Sequence, residues 1–550
     1  LNQEQPWFTG WPAGIPKSLE YPEVPLYSIL SEVARKYPKL TAISYFDKQL
    51  NYFDLEQFSN KFAAGLSALG VKKGDRVALF LPNIPQFVIS YYGILKAGAV
   101  LTAISPLHRK REVEYQLKDS DTGVIILLDS LYPVVETVLP WAHLKAAILT
   151  NLDDFSPIMP RRKSGKDQPE IFSFEDVLKT GTEFQKVSVN PIEDLAALQY
   201  TGGTTGVAKG AMLTHANLVS NTIAFATWIR RKMAKETFLG ALPLFHIYGM
   251  TTSMNVPISL AAKTVLLPRF EPAQALETIR KHQVTVFCGV PTMYALLLAD
   301  SELGKFDLTS IRVCVSGASP LPPQVQKKFM QFTGGSLVEG YGLTEASPVT
   351  HCNPVGNSSM DVHVGSIGLP LPGTEAKIVD METGKSLGIG DTGELAVKGP
   401  QVMKGYWKKT EETSLVLRDG WLLTGDIAHM DSEGYFYITD RKKDLIKYKD
   451  YSVYPRELED ILYEHEKVKI CAVVGIPDQV AGEIPKAFVV LRGESTMSDS
   501  DVKAFVNGKV APYKAIREVE FRKELPMSAA GKVLRRILKE EEKKENITSP

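Results

Sequence analysis

The chain has 550 residues, 44% hydrophobic and 23% charged, the balance of an ordinary soluble globular protein. Its 63 basic and 63 acidic side chains cancel, which argues against a nucleic-acid partner, since such proteins carry a basic excess. The length exceeds what one compact core supports and predicts a large domain with at least one more.

The first residues, "LNQEQPWFTGWPAGIP", lack the basic start and apolar run of a signal peptide. The most apolar long segment, Val77 to Val100, is interrupted by Pro82, Asn83, Pro85, Gln86 and Lys96, so it reads as a strand, a turn and a buried helix rather than a membrane span. From about residue 40 to 345, short runs rich in Val, Ile and Phe alternate with helical patterns: "RVALFLP" then "PQFVISYYGILKAG", "VTVFCGVP" then "TMYALLLAD", "IRVCVSGA" then "PPQVQKKFMQFTG". That alternation predicts parallel sheets with helices on their faces, whose ligands gather beyond the carboxyl ends of the strands. Met159 to Glu170 reads as an exposed loop.

Near residue 374 the pattern changes. "EAKIVD", "GELAVKG" and "GYFYITD" read as strands joined tightly, with few helices. A charged stretch, Asp440 to Asp444, then precedes a fresh alternation: "PRELEDILYEH", "KICAVVGIP", "KAFVVLRG", "SDVKAFVNGKV". It is either a domain junction or a solvated turn. The tail "LKEEEKKENITSP" reads as a solvated helix end fading into disorder. The four cysteines, Cys288, Cys314, Cys352 and Cys471, have no metal-ligand or redox spacing, which predicts buried, reduced thiols and a cytoplasmic protein.

The densest motif is "YTGGTTGVAKG", Tyr200 to Gly210. Gly202, Gly203 and Gly206 let backbone amides approach an anion, Thr204 and Thr205 add hydroxyls, and Lys209 adds a positive charge. A Walker loop would need Lys and then Ser or Thr directly after its second glycine, and Lys209 between Ala208 and Gly210 fails that pattern. A flexible surface loop is the plain alternative. In "EGYGLTEAS", Glu339 to Ser347, Thr344 stands beside Glu345, and a lone carboxylate next to phosphate-binding groups suits magnesium. The plain alternative is a turn with a surface glutamate. Asp426 follows an apolar run and Gly425, where it could accept both hydroxyls of a ribose or sit in a strand-ending turn. Lys532 follows Gly531 in "LPMSAAGKVLRR", and such a lysine can reach inward or lie solvated. Among nine histidines there is no Ser-His-Asp order, Cys-His pair or HExxH motif. Chemistry by positioned charge on a phosphate fits this set better than covalent catalysis.

In this order and spacing the motifs resemble the adenylate-forming superfamily of acyl-CoA synthetases, adenylation domains and luciferases, from Leu50 through Arg536; "YTGGTTGVAKGAMLTH" is closest to the loop of medium- and long-chain fatty acyl-CoA synthetases. The resemblance implies ATP, magnesium and coenzyme A, with a fatty acid activated as its adenylate and passed to a thiol. It implies an α/β fold: a large N-terminal domain (1–441) with parallel-containing sheets flanked by helices plus a β-rich subdomain. A small mobile α+β C-terminal domain (442–550) would follow, rotating about a hinge near Lys443.

By the same resemblance Thr201, Gly203, Thr204, Thr205, Gly206 and Lys209 close over the β- and γ-phosphates. Thr344 bonds the α-phosphate, while Glu345, with Thr204, holds magnesium. Gly317, Ala318 and Ser319, with Glu339, Gly340 and Tyr341, wall the adenine slot. Asp426 and Arg441 match the ribose-binding pair, and Lys532 the lysine bridging carboxylate and α-phosphate. His246, Met250, Val290 and Gly317 fall at the acyl site, and the stretch Val284 to Tyr294, which holds Val290, is expected to line an apolar acyl tunnel. Where amino-acid-activating relatives carry an Asp for the substrate ammonium, this chain has His246, which disfavours an amino acid. Gly202 and Ala208 replace the Ser and Pro of the commonest loop, and Asp450 stands where a Gly is usual on the thioester face. Alternatives are an aryl-acid CoA ligase, an enzyme loading another thiol, a luciferase-like oxygenase, or a nucleotide binder without catalysis. Peripheral contact with a membrane surface and a homodimer stay open.

Overall fold

The computed structural model describes residues 5–152, 169–181, 184–201, 208–356, 363–449, 451–478, 480–493, 495–528 and 533–548, the last six by backbone alone. Gly202, Gly203, Thr204, Thr205, Gly206, Asp450 and Lys532 therefore lie outside the described residues, as do residues 159–168 of the expected exposed loop.

Packing contacts divide the chain into two units, Leu1–Glu375 with Lys398–Leu422, and Ala376–Val397 with Leu423–Pro550. The first unit holds two large sheets. One has seven strands in the order Glu170–Ser173, Ala146–Thr150, Thr122–Leu128, Arg76–Phe80, Val100–Ala103, Leu195–Thr201, Lys209–Thr214. Its first six strands run parallel and the last closes an antiparallel hairpin. The other is nine-stranded, with a parallel centre made by Ser336–Gly342, Val313–Ser316, Val286–Gly289, Thr237–Gly240, Lys263–Leu266 and Thr41–Tyr45. Antiparallel strands flank that centre, Lys48–Asn51 at one edge and Val349–Cys352 with Leu369–Pro370 at the other. Runs such as "VIIL" and "VCVS" are apolar or small at every position because strands in such sheets are covered on both faces.

The helices start where local chemistry favours it. Pro85, Pro291 and Pro323 open theirs at the first helical position, where the missing N–H costs nothing. Thr214 and Asn217 form a reciprocal capping box that turns the chain from strand Lys209–Thr214 into helix His215–Trp228. Helix Pro85–Lys96 is buried along its whole length, which is why apolar residues fall on all its faces, and its buried Lys96 is paired with Glu56 at 2.7 Å. No helix among the described residues is long and apolar enough to cross a membrane.

In the second unit, Trp421–Met430 pairs antiparallel with Phe436–Arg441 over the residues from Asp426 onward. A further sheet runs Tyr451–Val453, Ile446–Tyr448, Gly482–Leu491, Val468–Asp478, with Glu518–Phe521 parallel to Gly482–Leu491. Helices Pro455–Tyr463 and Asp499–Asn507 cover one face through Leu458, Leu462, Val502 and Val506. Helix Arg535–Thr548 covers the other, with Leu538 against Ala472, Val474 and Phe488. This corrects the expected solvated tail. Leu538 and Glu542 lie four residues apart on one helix face, and Glu542 accepts a 2.6 Å bond from the buried Lys486.

The α/β class, the β-rich segment and the smaller α+β unit are thus as the sequence predicts. The packing division does not follow residues 441 and 442. Strand Phe436–Arg441 groups with the C-terminal residues, and within it Asp440 accepts the Arg456 N–H at 2.8 Å. All four cysteines are buried and unpaired.

Candidate active site

Strand Leu195–Thr201 ends on Thr201, which faces Lys209 across the antiparallel ladder as the last register pair. The strands on either side of the glycine-rich motif therefore pair with each other as a β-hairpin. A Walker loop instead opens a helix whose N-terminus holds the phosphate, so the fold agrees with the sequence in setting that class aside. The hairpin base is braced from several directions. Tyr115 Oη donates to the Ala208 carbonyl at 2.7 Å, Tyr200 Oη donates to Asp119 at 2.6 Å, and the Trp407 indole donates to the Asp119 carbonyl at 2.9 Å. Gly210 lies against the Tyr200 ring, where an added Cβ would come within 3.2 Å.

Gly317, Ala318 and Ser319 leave the carboxyl end of Val313–Ser316, whose Ser316 is in register with Glu339 on the adjacent parallel strand. Glu339, Gly340 and Tyr341 continue that strand, so all six expected slot residues sit at neighbouring strand ends, where ligands of such sheets bind. Ala318 has φ +69°, a conformation that strains a non-glycine residue, and such strain concentrates at functional sites. Gly317 packs on Tyr248, with room of only 3.1 Å between a Cβ and the ring. Glu339 is buried and accepts the Leu321 N–H at 3.2 Å. Behind Tyr341, with ring centroids 6.0 Å apart, His351 is held neutral by burial, its pKa pushed down to about 3.

Beyond Gly342 a short helical turn, Thr344–Ala346, presents Thr344 and Glu345, both half-buried. Gly342 is obligatory: a Cβ there would lie 2.1 Å from the Pro348 carbonyl oxygen. The turn is tied to residues 401–406 of the same unit. Ser347 donates to the Gln401 carbonyl at 2.9 Å, the Met403 N–H donates to the Glu345 carbonyl at 2.8 Å, and Tyr406 Oη donates to Glu345 Oε1 at 2.6 Å. The same tyrosine ring lies beneath the Lys209 ammonium, 4.9 Å from Nζ to centroid. Burial, then the neighbouring Glu345 carboxylate, hold the Tyr406 hydroxyl well above its ordinary pKa, so it remains a donor.

His246 caps helix Ile247–Met250, its Nδ1 accepting the Tyr248 N–H at 3.2 Å. Met250 is fully buried, and Val290, 4% exposed, precedes helix Pro291–Ala299. Tyr248 links these residues to the slot, because its hydroxyl donates to the Val315 carbonyl at 2.8 Å.

In the second unit, Asp426 and Arg441 are partners across the antiparallel ladder, with Arg441 Nε 3.2 Å from Asp426 Oδ1. Asp426 lies inside strand Trp421–Met430 and is 7% exposed, so the strand-ending turn is excluded. Gly425, at φ +74°, gives its N–H to buried Glu394 at 3.0 Å, and Glu394 also accepts from Lys442 at 2.9 Å. Lys532 lies outside the described residues, but Met527 and Val533 on either side of it form an antiparallel bridge.

Among the described residues no group of three His, Cys, Asp or Glu could enclose a metal. Glu345 is one hard oxygen donor beside the hairpin, which fits magnesium shared with phosphate and water and does not fit a zinc cage. The structure thus gathers Thr201, Lys209, Thr344, Glu345 and the slot residues in one unit and Asp426 with Arg441 in the other. Sequence reasoning missed Tyr406, Trp407, Tyr115 and Asp119. The available signal was the Gly405-Tyr406-Trp407 triplet, an aromatic pair after a glycine, without any indication of its partners.

Comparison with known proteins agrees with this geometry. The family model for AMP-binding enzymes matches residues 30–407, and the one for the AMP-binding enzyme C-terminal domain matches residues 457–532. The chain is 46% identical to a long-chain-fatty-acid–CoA ligase of Bacillus subtilis, over 98% of this chain and 99% of that one. It is 38% identical to the long-chain-fatty-acid–CoA ligase of Salmonella typhimurium, over 97% and 98%. Among solved structures, ATP-bound MatB from Rhodopseudomonas palustris superposes with a TM-score of 0.84 at 29% identity, covering 94% of this chain and 99% of that one.

Proposed function

The chain belongs to the family of AMP-binding enzymes, and we propose that it is an ATP-dependent fatty acid–CoA ligase. A fatty carboxylate oxygen attacks the α-phosphorus of ATP and pyrophosphate leaves, giving an acyl-adenylate. The thiol of coenzyme A then attacks the acyl carbon, forming the thioester, and AMP departs with the bridging oxygen. The likeness to long-chain-fatty-acid–CoA ligases along nearly the whole chain supports a fatty acid as substrate. In the structure the carrying observation is the hairpin base, where Lys209 and the Glu345 carboxylate meet on one tyrosine beside the carboxyl ends of the slot strands.

The roles divide by charge. Thr201, Gly203, Thr204, Thr205, Gly206 and Lys209 clamp the β- and γ-phosphates, so that the leaving pyrophosphate is neutralised where it forms. Thr344 bonds the α-phosphate. Glu345 and Thr204 would hold magnesium, which supplies further charge neutralisation when bound. Gly317, Ala318, Ser319, Glu339, Gly340 and Tyr341 take the adenine, and Asp426 with Arg441 the ribose. Lys532 brings carboxylate and α-phosphate together, two anions whose approach an ammonium makes favourable. His246, Met250, Val290 and Gly317 shape the acyl end. The pivot between 1–441 and 442–550 is Lys443, an exposed residue after strand Phe436–Arg441, where a few torsions can exchange the two half-reactions.

Pyrophosphate release measured across fatty acids of graded length, aromatic acids and amino acids, with and without coenzyme A, tests this. Release is expected with medium or long fatty acids and turnover with coenzyme A. Silence with every fatty acid overturns the reading, and release with aromatic acids alone replaces it with an aryl-acid ligase.

A further inference from the structure

Tyr406 is held firmly. It is 8% exposed, its N–H donates to Thr413 Oγ1 at 2.9 Å, and it bridges Ala211 in the returning strand of the hairpin. Around it the 404–407 segment runs beside that strand, with Met212 N–H on the Gly405 carbonyl at 2.9 Å and Trp407 N–H on the Gly210 carbonyl at 2.8 Å. Both functional ends of this side chain are engaged. The hydroxyl meets Glu345 Oε1 at 2.6 Å and the ring face meets the Lys209 ammonium at 4.9 Å.

We propose that Tyr406 is a positioning residue that orients the Glu345 carboxylate for magnesium and keeps the Lys209 ammonium from pairing with it. The inference rests on Glu345 being the metal-holding carboxylate. A carboxylate whose Oε1 accepts a fixed phenol can rotate little and leaves Oε2 for a cation, which is how groups behind a ligand raise its affinity. Lys209 would otherwise be the competing cation, because its ammonium rests on the same tyrosine whose hydroxyl the carboxylate accepts. The aromatic face offers the ammonium a weaker, reversible seat, from which it can move to a phosphate when one arrives. Thr413 and the strand bridge fix the tyrosine itself, so the arrangement precedes the ligand.

The test is binding of Mn2+ by paramagnetic resonance in the presence of a non-hydrolysable ATP analogue, beside binding of AMP alone, which carries neither outer phosphate. Tyr406→Phe keeps the ring and removes the hydroxyl; it should weaken Mn2+ by about tenfold while AMP affinity stays within about twofold. Tyr406→Leu removes the ring as well and should weaken Mn2+ further. Unchanged Mn2+ binding in Tyr406→Phe, or equal losses for Mn2+ and AMP, overturns the proposal, the second outcome marking a merely structural role. Glu345→Gln separates the two claims. If it abolishes Mn2+ binding while Tyr406→Phe does not, the metal assignment stands and the tyrosine's role falls. If Glu345→Gln binds Mn2+ like the parent, both fall.

Discussion

Asp426 and Arg441 face each other across two antiparallel strands, joined by a 3.2 Å contact between Oδ1 and Nε. A carboxylate held in this way keeps its rotamer, which suits the acceptance of two ribose hydroxyls. Asp426→Ala should raise the KM for ATP by roughly 10–100-fold, the scale of losing hydrogen bonds to a charged acceptor. It should also erase any preference for ATP over 2′-deoxy-ATP. If the variant keeps the parent's ratio between the two nucleotides, Asp426 does not hold the ribose.

Lys532 is expected to serve only the first half-reaction. Lys532→Ala should slow adenylate formation by about 10²–10³-fold, the scale of removing one positioned donor from a developing charge. Thioester formation from supplied acyl-adenylate should continue. Single-turnover assays of the two steps decide this, and equal losses in both would refute the assignment.

Gly342 carries the turn that presents Thr344 and Glu345, and its Cα faces the Pro348 carbonyl oxygen with 2.1 Å for any added Cβ. Gly342→Ala must displace backbone rather than a flexible side chain. We expect a loss of about 1–3 kcal/mol in stability, the usual scale of overpacking, together with a larger fall in adenylation. A thermal melt matching the parent's would show that the turn tolerates the displacement.

Asp440 should give stability a pH dependence. Burial of Asp440, beneath the N–H groups of Arg441 and Arg456 and facing the charges of Arg535 and Glu459, raises its pKa from 3.8 to about 6. The folded carboxyl therefore binds its proton more tightly than the unfolded one. Its contribution is complete below the unfolded pKa and is lost as pH rises through about 6. Denaturant melts from pH 4 to 7 should show this component of stability falling by roughly 1–3 kcal/mol, and Asp440→Asn should flatten it. An unaltered profile in that variant would place the titration elsewhere.

Much of this was legible in the sequence, for physical reasons. Strands such as Arg76–Phe80 and Val313–Ser316 show as short apolar runs because both faces are covered. Thr201, Lys209 and Glu345 stand out because glycine and threonine cluster around them. Tyr406 did not, because its partner Glu345 is 61 residues away and its ring contact with Lys209 is set by a segment folding back along the hairpin. Asp426 resembled a turn residue since Gly425 precedes it, yet the ladder runs on through it to Met430. Leu538 hid within a charged tail, because it is a single leucine there and the position one turn on, Glu542, is buried through its bond with Lys486.

The central claim is that the acid attacks at the α-phosphorus while the hairpin loop retains the departing pyrophosphate. Fatty acid labelled with 18O in its carboxylate, incubated with ATP and coenzyme A, tests it directly by mass spectrometry of the products. The account predicts one labelled oxygen in AMP and none in inorganic phosphate or pyrophosphate. Label in inorganic phosphate, with ADP as the nucleotide product, would contradict it.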